Sequence, residues 1–210
     1  LLHLSSATEA STSSEVNPDV LAEDTASIQL HTRYLLAQVK SGILLIDQQA
    51  AHERILYERY IGSSVQQAGH AQQQLFPLHV TLNAADLALV KDCEEEMRAL
   101  GFVLESFGKD SLIISGCPAE ATEQDPKQLL EGFIEQFKWN ETQLSLTKAE
   151  NLAYALAKRT CLQPGKRLQK EEIAGLVDQL FACTNPNYAP DGRKTFVMLT
   201  LQDIEEIFLA

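Results

Sequence analysis

Residues 43–60, "ILLIDQQAAHERILYERY", decide how this chain reads. Ile43 to Ile46 are four apolar residues in a row, as suits a strand buried on both faces. Asp47 ends that run. The segment after it, "AAHERILYERYI", carries Ala51, Ile55, Leu56, Tyr60 and Ile61 at helical spacing. An acid at a strand end, followed by a helix bearing Glu53 and Glu58, allows two readings. The acids hold a metal for chemistry, or they cap and solvate an ordinary helix.

Upstream of that stretch, "SIQLHTRYLLAQVKSG" adds β-rich sequence, and "KSG" predicts a hairpin with Gly42 supplying the turn. Residues 1–26 are rich in Ser, Thr, Ala and Glu without any sustained period, so they read as the end of a disordered linker. Starting at Leu1 rather than Met, the chain reads as an excised C-terminal piece. Downstream, "GSSVQQAGHAQQQ" is a polar break, "LHVTL" is strand-like and "AADLALVKDCEEEMRAL" is an amphipathic helix. "FVLESFG" and "DSLIISGCP" are strands meeting at Gly108–Asp110, and "DPKQLLEGFIEQFKW" is a helix capped by Asp125 with Pro126 at its first position. Two further helices, "LTKAENLAYALAKRTC" and "QKEEIAGLVDQLFAC", lead through "TNPNYAPDG" into the strand "KTFVMLT" and the helix "LQDIEEIFLA". The order predicts an α+β fold.

The 210 residues carry 29 Asp and Glu against 17 Lys and Arg, a formal charge of −12. That balance excludes an autonomous nucleic-acid binder, which needs clustered cations against phosphate. Four scattered cysteines with no CxxC pair read as small buried hydrophobes in a reducing compartment. With no signal peptide and no apolar run of about 20 residues, the chain reads as cytoplasmic and without a membrane partner. No Gly-rich phosphate loop occurs, so ATPase activity is not expected in this fragment.

The opening stretch, "QQLFP" at 73–77 and "NPNYAPDGRKTF" at 185–196 together resemble the C-terminal dimerisation domain of MutL-type DNA mismatch repair proteins. The likeness runs from about Ile28 to the end. The family's endonuclease branch carries DQHA-x2-E-x4-E, matched here at Asp47, Ala50, Glu53 and Glu58, with Gln49 where the family has a metal-binding His. A second signature, C-P-H-G-R, aligns with residues 189–193, where Ala189 replaces Cys and Asp191 replaces His. A third ligand, a Cys, falls at Lys158.

The resemblance implies a dimerisation subdomain from residues 27–75 and 158–210, with an external regulatory α+β sandwich, 76–157, inserted between its halves. It implies a homodimer whose interface draws on Tyr34, Leu36, Ile43, Phe196, Met198, Ile207 and Phe208. It also implies docking to the DNA polymerase sliding clamp through Gln73, Leu75, Phe76 and Pro77, an extended segment with two apolar anchors. Partners of the full-length protein would be the mismatch-recognition protein MutS and DNA, coupling mismatch recognition to strand removal. The alternative is a metal-dependent nicking endonuclease with altered ligands. Asp47 and Glu53 would then be catalytic, Asp47, Glu53 and Asp191 would hold the metal, and Arg193 would reach a phosphate. Such an all-oxygen set suits manganese or magnesium better than zinc. Against it stand a helix-capping role for the acids and a salt-bridging role for Arg193.

Overall fold

The computed structural model describes residues 27–66, 69–121 and 124–209, so the expected linker at 1–26 lies outside the described residues. The fold is α+β, with two antiparallel sheets and seven helices among the described residues.

The first sheet has the order β1 (Ser27–Leu30), β2 (Tyr34–Val39), β3 (Gly42–Asp47), β7 (Phe196–Thr200). The opening run, expected as one arm of a hairpin, splits into β1 and β2 at His31 and Thr32. Both lie at positive φ, 48° and 50°, and the Arg33 N–H donates to the Leu30 carbonyl across the turn. Thr is rare at this conformation, and no Gly, Asn or Asp marks the pair, so composition did not signal the break. Two contacts hold the conformation in place: the Thr32 carbonyl accepts from Gln48 Nε2 at 2.9 Å and from the Gly165 N–H at 3.3 Å.

Strand alternation sorts this sheet into two faces. Leu35, Ala37, Val39, Leu44 and Ile46 point inward and pack with Ala51, Ile55, Ile173, Val177 and Leu180. The opposite face carries the cross-strand row Ile28, Leu36, Leu45 and Val197, each paired with the next by register. Beside that row sit Tyr34 and the pair Ile43–Leu199. No element of the described chain covers this face fully, and Ile28, Val197 and Leu199 are exposed.

Gly42 is required by close approach. A Cβ there would sit 2.0 Å from the Leu199 carbonyl oxygen of β7, at a φ of 154°. Gly42→Ala is therefore expected to cost about 2 kcal/mol, read as an earlier urea midpoint. An unchanged midpoint would mean that β7 does not pack here.

Helix α1 (Gln48–Gln66) follows β3 directly and runs further than its apolar spacing suggests, through Gly62 and the polar "SSVQ". It serves both cores. Ala51 and Ile55 face the first sheet, while Leu56 and Tyr60 join the larger core. That larger core is built on the second sheet, β4 (Ala71–Thr81), β6 (Ser111–Pro118) and β5 (Val103–Phe107), in the order β4–β6–β5. It is covered by α4 (Pro126–Gln143) and α5 (Lys148–Thr160). Helix α5 is buried from Asn151 to Ala157 and is closed at its start by a Thr147–Glu150 capping box.

The helix expected over 84–100 is two, α2 (Ala84–Asp92) and α3 (Glu94–Ala99), meeting at Cys93. Lys148 Nζ takes the Asp92 carbonyl at 2.7 Å, and that competing donor marks the break. Helix α6 (Lys170–Phe181) closes the first core, and α7 (Leu201–Leu209) ends the described chain with no buried residue. Among the described residues no helix is long and apolar enough to cross a membrane.

Candidate functional site

The acids of the opening stretch are all engaged by the protein itself. Asp47 ends β3, and its Oδ1 accepts the backbone N–H groups of Gln49 and Ala50, each at 3.0 Å. That is an N-cap, satisfying two donors that the first turn of α1 otherwise leaves open. Arg33 Nε stands 3.8 Å from its Oδ2. Gln49 lies beside α5's end, with Nε2 3.9 Å from Cys161 Sγ. Burial first, and then the Glu53 charge, push the Cys161 thiol up to about 12, so it stays protonated.

Glu53 has no solvent exposure. Its Oε2 accepts from Arg193 Nη2 at 2.8 Å; its Oε1 is buried with no partner at good hydrogen-bond geometry, although the Tyr154 hydroxyl lies near enough to the carboxyl to favour its charged form. Burial holds its carboxyl above the ordinary value despite the Arg193 charge. Arg193 also donates from Nε to Asp191 Oδ2 at 2.7 Å, and its backbone N–H donates to Asp191 Oδ1 at 3.2 Å. Burial raises the Asp191 pKa, but these bonds and the Arg193 charge outweigh it, so its carboxyl lies below the ordinary value. The Ala189–Arg193 turn is closed by Ala189 N–H to the Arg193 carbonyl at 2.8 Å. Gly192, in the left-handed region at φ 84°, lets the chain reverse there.

Lys158 enters the same cluster from α5. Its Nζ donates to the Tyr154 hydroxyl at 3.1 Å, stands 3.9 Å from Asp191 Oδ2 and lies over the rings of Trp139 and Tyr154. Burial, reinforced by the Glu53 and Asp191 charges, pushes the Tyr154 phenol well above its usual range. Tyr154 and Trp139 were not expected in the site. The i, i+4 spacing of Tyr154 and Lys158 was their one local signal.

The structure therefore brings Glu53, Asp191 and Arg193 together and gives Asp47 to the helix backbone. These residues do not make a seat for divalent ions. Manganese and magnesium ask for about six oxygen ligands. Of the three carboxylates, Asp191 is bonded at both oxygens by Arg193, and only Glu53 Oε1 and Asp47 Oδ2 are left without a hydrogen bond. Among the described residues no group of three His, Cys, Asp or Glu side chains could hold a metal ion. Glu58, the last acid of the signature, accepts the backbone N–H groups of Thr184 and Asn185 at 2.7 and 3.1 Å. His52 uses Nδ1 to accept the Leu162 N–H at 2.9 Å.

The other expected residues fall on two surfaces. Gln73, Leu75, Phe76 and Pro77 lie in β4 where its register with β6 breaks between Gln73 and Leu78, and all four are exposed. Leu75 and Phe76 are 86% and 81% exposed, so among the described residues neither is packed into a core. Pro77 is tolerated there because β4 is an edge strand with an irregularity.

Tyr34, Leu36 and Ile43 share the open face of the first sheet, and Ile207 and Phe208 are exposed on α7. Phe196 and Met198 do not join them. They pair with Ile46 and Leu44 on the inward face and pack on that core, Phe196 against the Phe181 ring at 5.3 Å. Val197 and Leu199 take the outward places on β7.

Comparison with known proteins places the chain in a family. Residues 27–168 match the family described as the MutL C terminal dimerisation domain. The chain is 35% identical over 91% of its length to a DNA mismatch repair protein MutL of Chlorobium phaeobacteroides. It is 33% identical over 93% to that of Prosthecochloris aestuarii, and 32% over 88% to that of Flavobacterium psychrophilum. In each case the match covers 30–32% of the relative, so the chain spans about a third of the curated relatives it matches. The chain belongs to the family of MutL C-terminal dimerisation domains.

Proposed function

We propose that this chain is the homodimerisation module of a MutL-type mismatch repair protein. It joins two copies so that mismatch recognition is coupled to strand removal. The observation that carries the reading is the apolar face of the first sheet that no described element fully covers, with the row Ile28–Leu36–Leu45–Val197 on it and the exposed α7 following β7. A contiguous exposed apolar face is costly for a monomer and suits a self-complementary interface. The test is the mass of the chain in solution, with open-face variants as controls.

The division into a dimerisation part, 27–75 with 158–210, and an external part, 76–157, belongs to the same proposal. Its support is the presence of two separate cores joined through α1. MutS and DNA are proposed partners of the full-length protein.

The same reading makes residues 73–77 a docking segment for the DNA polymerase sliding clamp. Leu75 and Phe76 would enter an apolar cleft, and Pro77 keeps the segment extended at low entropic cost. Leu75→Ala with Phe76→Ala is expected to weaken binding to immobilised clamp at least about tenfold. Both side chains are exposed, so the melting temperature should not move. Equal clamp binding by the double variant would remove this part of the proposal.

A further inference from the structure

We infer that the acid-bearing face of α1 is a seat for the chain's own cations, Arg193 and Lys158, and not for a divalent metal. The two cations neutralise Glu53 and Asp191 and lock the segment before β7 onto α1 and α5. Family membership enters only in making a metal the natural expectation; the geometry is independent of dimerisation.

Charge comes first. Two carboxylates, Glu53 and Asp191, face two cations, Arg193 and Lys158, within 2.7–3.9 Å contacts, so the cluster is neutral as it stands. A divalent ion added there would leave two surplus positive charges beside a carboxylate with no solvent exposure. To reach Asp191 the ion would have to displace Arg193, which bonds both Asp191 oxygens and closes the 189–193 turn. Lys158 stands at the place where the resemblance expects a thiolate ligand. Its ammonium is held by a hydroxyl and two aromatic rings, so it is a fixed part of the cluster.

The rest of the acidic face of α1 does the same kind of work. Glu58 accepts two backbone N–H groups at Thr184 and Asn185, and Arg54 Nε donates to the Tyr188 carbonyl at 2.6 Å. Glu53 and Glu58 of the signature, with Arg54 between them, thus grip residues 184–193 along their length. Two residues beyond Arg193, the Thr195 carbonyl accepts the Asp47 N–H at 2.9 Å, and β7 begins at Phe196. The ion cluster therefore positions the strand that carries Val197 and Leu199.

The test titrates manganese and, separately, zinc into the full chain by calorimetry. Thermal melts follow in EDTA and in millimolar manganese chloride. No saturable site is expected, with one melting midpoint in both media. Arg193→Ala should lower that midpoint by several degrees in both, and Arg193→Lys should recover part of the loss, since an ammonium cannot fork between two carboxylates. If Arg193→Ala does not fold, Asp191→Asn gives the same reading with a smaller shift. One metal bound per chain and lost in Glu53→Gln would overturn the inference, as would a wild-type midpoint raised by metal. A midpoint indifferent to Arg193→Ala or Asp191→Asn would overturn it too. Mass measured on the same samples separates this outcome from the dimer proposal.

Discussion

Leu199→Asp is expected to convert the dimer into a folded monomer at micromolar concentration. Leu199 lies on the outward face of β7 opposite Ile43, and it is 37% exposed within one chain. A carboxylate there costs the isolated fold little, because water still reaches it. In an interface it would be desolvated without a partner, a penalty of at least about 3 kcal/mol, or roughly a hundredfold in dissociation constant. Light scattering behind a sizing column checks the mass, and circular dichroism checks that the fold is kept. Met198→Asp is the matched control. That neighbour faces the core, and the acid there is expected to unfold the chain. A Leu199→Asp protein that remains dimeric would place the interface elsewhere.

Stability is expected to fall steeply between about pH 6.5 and pH 4 because of His52. Burial first, and then the charges of Arg59 and Lys166, lower its pKa to about 4, while Nδ1 accepts the Leu162 N–H. The cavity beside it, about 490 Å³, also presents Glu120 and Cys161. A depressed pKa means that the unfolded state binds the proton first. The stabilising contribution is therefore complete above about 6.5 and lost as pH falls toward 4, about 3 kcal/mol in all. His52→Gln, which cannot take up that proton, should flatten the urea midpoint across this window relative to wild type. Parallel pH profiles for the two proteins would show that His52 is not the group responsible.

Local chemistry made much of the fold legible. Asp125 caps α4 with Pro126 at its first position, as the sequence suggests, and the apolar run at 43–46 forms a strand at the centre of a sheet. Three kinds of feature were not legible. The run "FVMLT" is apolar on both alternating faces, so periodicity does not say whether Phe196 and Met198 or Val197 and Leu199 turn outward. Pairing with β3 decides it. The fate of Glu53 depends on Arg193, 140 residues away, and no local signal distinguishes a carboxylate awaiting a metal from one awaiting a guanidinium. The break at His31 and Thr32 is silent in the sequence for a third reason, since no Gly, Asn or Asp marks it.

The most direct measurement is sedimentation equilibrium of the wild-type chain at low micromolar concentration. A dimer clasped through the open sheet face should sediment as twice the 23.3 kDa of one chain. A single species of one chain's mass across that range would contradict it.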